Sequence, residues 1–408
     1  MPAVEGAEEF TIVRAPVGKV RGAIRSAPDG KNVYAFTGIR YAQPPTGQLR
    51  YRKPQPEEPW ENSIRDATQR PPSCSQTSVY QRRHLIWVPY RKLAFATMHT
   101  VYMSASEEKN FVNPVVVVVG LTILSEDCLY LNVWTPTLNN TAMLLVMAWI
   151  HGGQFLDGSA AMHLDDGGNL AALGNVVVVT IGYRLQSFGF LYDGTEEAPG
   201  NQGLYDQLLA LEWIQSNIGA FGGDPGEVTL FGWSAGGVVI GFFLSMSDAS
   251  LPFKQAIVQS GPASIKFLAK NNTIALNDSR KFASIFGCAN KSSQNDTPFN
   301  FVACMRNVNA SLILAVEQNF KDSGIIFMPI FGDGLLKTDP EVATFTGHRD
   351  VLIGHVVNEG TVNLYANFPD VFSKILQPRQ VDKSEMVYYL GALHKGLSLP
   401  EILGLRDL

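Results

Sequence analysis

The sequence predicts an α/β fold in which a doubly wound, mostly parallel central sheet is flanked by helices. Short β-branched, apolar runs alternate with runs whose apolar residues recur at helical spacing. The 408 residues are 46% hydrophobic and 17% charged, which is enough apolar material for a large core. No Pro-, Gly- or Ser-rich linker divides the chain, so we expect one domain over residues 1–408.

The predicted elements follow in chain order. Apolar or β-branched runs predict strands at 144–150, 176–181, 253–260 and 350–354. Residues 203–218 predict an amphipathic helix, because apolar residues recur at helical spacing: Leu204, Leu208, Leu211, Ile214 and Ile218. The order strand, helix, strand, turn, helix, strand is typical of a doubly wound sheet.

The most informative motif lies at residues 228–237, VTLFGWSAGG. A β-branched strand breaks here into a G-x-S-x-G pattern and continues into an apolar, helix-compatible stretch at 238–244. A Ser on such a sharp turn needs small neighbours, because the flanking backbone is crowded. Ser234 is therefore the candidate nucleophile. A chance Gly- and Ser-rich loop is the alternative, and the strand–turn–helix context disfavours it.

Charge and hydropathy exclude several classes of function. The 32 Lys and Arg residues against 37 Asp and Glu residues give a net charge of -5, with no basic run, so we expect no nucleic-acid partner. No segment reaches the ~18 apolar residues of a transmembrane helix. The metal and nucleotide motifs H-E-x-x-H, C-x-x-C and the phosphate loop are missing, so we expect no metal and no cofactor. The sequence indicates no particular oligomeric state.

Cysteines and sequons bear on the compartment. Two cysteines flank one segment and two flank another, an arrangement that fits two disulfides closing separate loops, with free cytosolic thiols as the alternative. Six Asn-x-Ser/Thr sequons begin at Asn139, Asn271, Asn277, Asn290, Asn295 and Asn309. The N-terminus, MPAVEGAEEF, shows no signal peptide. The cysteines and sequons nevertheless favour an exported, extracellular protein.

Four separated blocks of the chain resemble the type B carboxylesterase and cholinesterase family. They are FTGIRYAQPPTGQLRYRKP at 36–54, SEDCLYLNVWTP at 125–136, WIHGGQFLDGS at 149–159 and the long run at 199–237. The resemblance implies an α/β-hydrolase fold and hydrolysis of a small-molecule carboxylic ester. It also implies two disulfides, Cys74 with Cys128 and Cys288 with Cys304. Two structural ion pairs are implied as well, Arg50 with Glu126 and Arg184 with Asp206.

The resemblance further implies an oxyanion hole and an acid. Ester hydrolysis passes through a tetrahedral oxyanion that preorganised N–H groups must stabilise. The expected donors are the backbone N–H groups of Gly153, Gln154 and Ala235. The family usually has Gly where Gln154 stands, and a Cβ there restricts the backbone and narrows the acyl side of the pocket. Glu359 is the expected acid that orients the catalytic histidine, and nearby His355 is interpreted as structural.

The catalytic base is not assigned. His394 is the one histidine after Glu359, and its surroundings, YYLGALHKGLSLPEI, do not match the His-Gly segment of the family. We interpret His394 as a helix-surface residue. We expect this chain to be a C-terminally truncated member that lacks the portion with the catalytic histidine.

Two further departures concern the substrate. Residues 79–124 carry an insertion that matches no family motif, so Trp87 within it is not assigned the cation-binding role of the cholinesterase tryptophan. Trp233 stands where many members have Glu. Both departures favour a carboxylesterase over a cholinesterase, which stays an alternative. A non-catalytic binding or adhesion module is the other alternative: retention of Ser234 and Glu359 argues against it, and the missing histidine argues for an inactive chain.

Overall fold

The computed structural model describes residues 9–76, 100–102, 117–119, 123–246, 251–261, 268–288, 300–320, 327–332, 334–340, 342–344, 349–357 and 359. The chain divides into two compact units, Met1–Gly354 and His355–Leu408. The elements named below all belong to the first unit. Of the predicted insertion at 79–124, only residues 100–102, 117–119 and 123–124 are described. The single domain over 1–408 and the insertion stay predictions.

Most of the described strands belong to one large sheet. In chain order they are β1 (Glu9–Ala15), β2 (Gly18–Ser26), β3 (Asn32–Arg40), β4 (Trp60–Asp66), β5 (Ser73–Cys74), β6 (Thr100–Tyr102), β7 (Val117–Val119), β8 (Leu124–Ser125), β9 (Tyr130–Thr135), β10 (Leu144–Ile150), β11 (Val177–Ile181), β12 (Gly223–Trp233), β13 (Gln255–Gln259), β14 (Lys270–Asn271), β15 (Ile330–Phe331) and β16 (Asp350–Gly354). Ten of them form a sheet in the order β1-β2-β3-β9-β11-β10-β12-β13-β16, with β4 beside β2.

Seven α-helices are described in the same unit. They are α1 (Gly168–Gly174), α2 (Gln186–Phe190), α3 (Gln202–Asn217), α4 (Ala235–Ser245), α5 (Asn272–Ile285), α6 (Phe301–Met305) and α7 (Ala310–Phe320). The predicted helix at 203–218 corresponds to α3, and the predicted strands correspond to β10, β11, β13 and β16. The predicted doubly wound, mostly parallel central sheet with flanking helices is therefore confirmed; the observed sheet also has antiparallel pairs.

The two halves of the sheet differ in their pairing. Strands β11, β10, β12, β13 and β16 each run parallel to the next. Strands β1, β2, β3 and β9 each run antiparallel to the next. The two halves meet where β9 pairs antiparallel with β11. Every residue of β11, VVVTI, is buried, as expected of a parallel strand covered on both faces. Strand β2 instead has only two buried positions, Val20 and Gly22. The central parallel strands thus hold the core, and the antiparallel edge is more exposed.

Helices α3 and α4 cover one face of the parallel strands. Helix α4 is apolar all round, and all its residues from Ala235 to Leu244 are buried, which is the pattern of a helix inside a core. Helix α3 buries Leu204, Leu211 and Ile214 completely. These side chains form one continuous cluster with the inward-facing residues of β10 and β12. The core therefore fixes the positions at which β10 and β12 end.

Covalent and ionic links fasten the loops to this core. Disulfides join Cys74 to Cys128 and Cys288 to Cys304, which is the pairing implied by the resemblance. The two implied ion pairs also form. Arg50 Nη2 lies 2.6 Å from Glu126 Oε1, and Arg184 Nη2 lies 2.7 Å from Asp206 Oδ1. None of the described helices is both long and apolar enough to cross a membrane.

Candidate active site

Ser234 lies on a strained turn between β12 and α4. Its φ and ψ are 54° and -121°, a conformation that L-residues adopt at a cost of about 1–3 kcal/mol. The surrounding structure fixes this conformation, because Ser234 N donates to Gln259 O at 2.8 Å and Ser234 O accepts from Val238 N at 3.0 Å. The side chain is half-buried. A strained, half-buried serine at a strand–helix junction is the geometry of a nucleophile elbow.

The glycines of the motif permit this turn by their lack of a Cβ. A Cβ on Gly236 would overlap the carbonyl oxygen of Ile150, at the end of the neighbouring strand β10. A Cβ on Gly232 would lie 2.8 Å from the carbonyl carbon of Gly236. Helix α4 can therefore begin directly against the end of β10 only because both positions are glycine.

The loop that follows β10 lies beside the serine. A Cβ on Gly152 would lie 3.1 Å from Ser234 Cβ and 2.8 Å from Trp233 O. The next two residues have positive φ, 116° at Gly153 and 56° at Gln154. The loop closes on itself, since Gly153 O accepts hydrogen bonds from the backbone N–H groups of residues 156 and 157, at 2.9 and 3.1 Å.

Three backbone N–H groups of this region make no hydrogen bond to the described protein groups. Within the described residues, no protein group accepts a hydrogen bond from the backbone N–H groups of Gly153, Gln154 or Ala235. Ala235 is the first residue of α4, and N–H groups at a helix start lack partners within the helix. Gln154 supplies an N–H like any residue, but it holds a left-handed conformation that glycine adopts more easily.

Two glutamine side chains hold the loop in place, and the sequence did not single out either of them. Gln186 N donates to Phe155 O at 2.9 Å, and Gln186 Nε2 donates to Leu156 O at 2.6 Å. Gln76 Nε2 donates to Gly158 O at 2.8 Å, and Gln76 Oε1 accepts from Gly158 N at 2.9 Å. Their partners lie 30 and 82 positions away along the chain, so no local pattern could have indicated them.

His151 is the first residue of the loop after β10, and its side chain is buried in the core. It is 2% exposed, its Nδ1–H donates to Gly152 O at 2.8 Å, and its ring stacks on Tyr183 at a centroid distance of 4.3 Å. Tyr183 Oη donates to His151 O at 2.9 Å. Burial lowers the pKa of His151 to about 4, because the imidazolium would lose its hydration. The ring is therefore neutral at physiological pH.

Trp233 precedes the serine and is 51% exposed. A Cβ on Gly152 would lie 3.2 Å from Trp233 Cε3, so the edge of the indole lies against the loop after β10. The indole is thus an aromatic surface next to the serine.

The predicted acid, Glu359, and the histidines His355 and His394 belong to the second unit. There, Glu359 Oε1 accepts a hydrogen bond from Val356 N at 3.0 Å. The exposed His355 donates from Nδ1 to Val356 O at 3.1 Å. His394 and Trp87 lie outside the described residues. Glu359 as acid and His355 as a structural residue stay predictions.

In the first unit the parallel strands end at the same level. Trp233 on β12 pairs with Gln259 on β13, and Gln259 pairs with Gly354 on β16. Ligands of open α/β sheets bind beyond the carboxyl ends of their strands, and Ser234 follows β12 at this edge. Among the residues that the structure describes, no three His, Cys, Asp or Glu side chains are grouped so that they could hold a metal ion.

Sheet order, elbow and loop together define an α/β-hydrolase. A family model described as "Carboxylesterase family" matches residues 9–393. Acetylcholinesterase-1 of Trittame loki is 34% identical over 90% of this chain and 61% of its own length. The acetylcholinesterases of Electrophorus electricus and Danio rerio are 35% and 34% identical, each over 90% of this chain and 54% of its own length.

The chain belongs to the carboxylesterase family, because the family model covers most of its length. The predicted resemblance to type B carboxylesterases and cholinesterases is therefore confirmed. The chain spans about half the length of the curated relatives that it matches.

Proposed function

We propose that this protein is a serine carboxylic ester hydrolase that acts on small, uncharged esters. The observation that carries the proposal is the strained, half-buried Ser234, with φ 54° and ψ -121°, beside a loop whose Gly152 would place a Cβ 3.1 Å from the serine. Membership of the carboxylesterase family supports the same chemistry. A structural turn would not need a hydroxyl in this strained position.

The proposed reaction is acyl transfer to Ser234 followed by hydrolysis. Ser234 Oγ attacks the acyl carbon while a base takes its proton, and the resulting oxyanion accepts hydrogen bonds from the N–H groups of Gly153, Gln154 and Ala235. The alcohol leaves with a proton returned by the base, and water then attacks the acyl-enzyme. Glu359 is proposed to orient the histidine that serves as base, a role for which the sequence of this chain assigns no residue.

A second candidate is a binding module that retains the fold without turnover. A serine hydroxyl is a weak nucleophile without a neighbouring base. His151 is buried and stacked on Tyr183, and burial lowers its pKa to about 4, which makes it a weak base. The first proposal nevertheless has the stronger support, since a binding module requires neither the strained serine nor the free N–H groups.

Covalent labelling separates the two candidates. The full chain and its Ser234→Ala variant are incubated with a fluorophosphonate probe, and hydrolysis of p-nitrophenyl butyrate is measured in parallel. The esterase proposal predicts labelling at Ser234 by peptide mass spectrometry and turnover that the variant loses. A folded chain that neither labels nor turns over, but still binds the ester, would refute the esterase proposal and support a binding module.

We further propose that the protein is exported. Two disulfides are typical of oxidising compartments. The sequon residues Asn139 and Asn309 are exposed. Expression in a secretory host is expected to yield glycans at Asn139 and Asn309 by glycopeptide analysis, and a wholly unglycosylated product would contradict export.

A further inference from the structure

We propose that Trp233 is a specificity-determining residue whose indole stacks on an aryl group of the ester bound at Ser234. The inference rests on the proposed esterase function and adds a class of substrate to it: esters that carry an aromatic ring. The argument depends on the direction of the side chain, its neighbours and its exposure.

The direction of the indole follows from the alternation of strand β12. Val228, Leu230 and Gly232 are buried towards the core, so Phe231 and Trp233 project from the opposite face of the sheet. On that face the ring of Phe231 lies 4.8 Å from the ring of Trp149 on β10. Trp233 is the last residue of the strand and extends this aromatic row to the carboxyl edge of the sheet.

The indole and the nucleophile flank one glycine. The position of a Cβ on Gly152 lies 3.2 Å from Trp233 Cε3 and 3.1 Å from Ser234 Cβ. The ring edge, the serine and the loop with the free N–H groups therefore converge on a single point. A ring carried by an ester bound at Ser234 can therefore come within reach of the indole.

The ring has room for a ligand. Trp233 is 51% exposed. Among the described residues, no other ring and no cationic side chain stacks on it. A single exposed aromatic residue is common on protein surfaces. This one differs because it is covalently adjacent to the strained serine.

An aryl group fits this surface better than a cation does. Stacking on the indole buries apolar area on both rings and adds the favourable geometry of offset rings. A quaternary ammonium group would also be attracted to the ring, but this attraction is weak at an exposed site. The indole of Trp233 has no carboxylate to hold a cation.

Binding to the unreactive Ser234→Ala variant tests the proposal without requiring turnover. Phenyl acetate is compared with cyclohexyl acetate, and methyl benzoate with methyl cyclohexanecarboxylate, by ligand-observed NMR titration. Each pair exchanges a planar aromatic ring for a saturated ring with the same number of carbon atoms. One pair reports on the alcohol side and the other on the acyl side. We expect a preference of about two- to tenfold for the aryl member of at least one pair.

The preference is then measured after a second substitution. Trp233→Leu should abolish it, and Trp233→Phe should retain most of it. Leu145→Ala is the matched control, because Leu145 is 54% exposed on the same face but lies near the amino end of β10, and it should leave the preference unchanged. Thermal melting checks that each variant is folded.

The outcomes are distinct for the two proposals. No aryl preference in either pair, or a preference that survives Trp233→Leu, would overturn the role of Trp233 even if the chain hydrolyses esters. A Trp233-dependent preference for acetylcholine over its neutral analogue 3,3-dimethylbutyl acetate, without an aryl preference, would assign the indole to a cation instead. An aryl preference in a chain that never labels at Ser234 would retain the binding role and refute the esterase.

Discussion

Replacement of His151 by Asn should remove much of the acid sensitivity of the fold. His151 is 2% exposed, donates from Nδ1 to Gly152 O at 2.8 Å and stacks on Tyr183. Its Nε2 is buried and finds no hydrogen-bond partner among the described residues. An Asn amide can replace the Nδ1–H donor but does not titrate, so the substitution isolates the effect of protonation.

The size of the effect follows from the pKa of the buried ring. Burial lowers the pKa of His151 from 6.5 to about 4, so between these values the unfolded chain binds a proton that the folded chain does not. Stability therefore falls as the pH falls through this window. With about 1.4 kcal/mol for each pKa unit, the loss by pH 4 is roughly 3 kcal/mol.

Urea unfolding from pH 7.5 to pH 4, followed by tryptophan fluorescence, provides the measurement. The quantity of interest is the difference in unfolding free energy between wild type and His151→Asn at each pH. A direct pH profile is misleading, because burial raises the pKa of Asp165 to about 6 and so gives a contribution of opposite sign. The variant loses ring stacking at every pH, so only the slope is diagnostic. A difference that stays constant from pH 7 to pH 4 would refute the buried, neutral state of His151.

Three further substitutions test the elbow, a buried ion pair and the loop. Gly236→Ala should abolish labelling of the serine, because its Cβ would overlap a carbonyl oxygen, whereas Gly219→Ala, whose Cβ meets nothing within 4 Å, should label normally. Asp206→Asn should lower the unfolding free energy by about 3–5 kcal/mol, measured in urea, since it leaves the buried Arg184 charge uncompensated. Gln154→Gly should be more stable than Gln154→Ala by about 1 kcal/mol in thermal unfolding, because φ is 56°; equal stabilities would contradict the left-handed conformation.

The parallel core could be predicted from the sequence because its strands are continuous apolar runs. Predicted strand 144–150 and observed β10 coincide, and 176–181 differs from β11 by one residue. The antiparallel strands β1 and β2 were not predicted. In β2, GKVRGAIRS, polar and apolar residues alternate and only two positions are buried. The strand therefore lacks the continuous apolar run that made β11 recognisable.

The candidate site was predictable only where its signal is local. The elbow is a contiguous motif, and Ser234 occupies the expected junction between β12 and α4. The hydrogen bond that Gln186 donates to the loop after β10 is not local, since its side-chain amide reaches a carbonyl 30 positions away. The burial of His151 depends in the same way on Tyr183, which arrives from the loop after β11. A sequence specifies such contacts only through the complete fold.

Backbone strain connects these observations. Nine non-glycine residues in the described chain have positive φ. Five of them lie in the elbow, in the loop after β10, at the glutamine that contacts this loop, or directly after β13: Ser234, Gln154, Phe155, Gln186 and Ser260. Local preference alone would place none of them in the left-handed region. Such violations persist only where the surrounding structure enforces them, and they concentrate at functional sites. The fold of this chain therefore maintains the strained conformation of Ser234. This is the physical reason to expect a reactive serine rather than a motif retained without function.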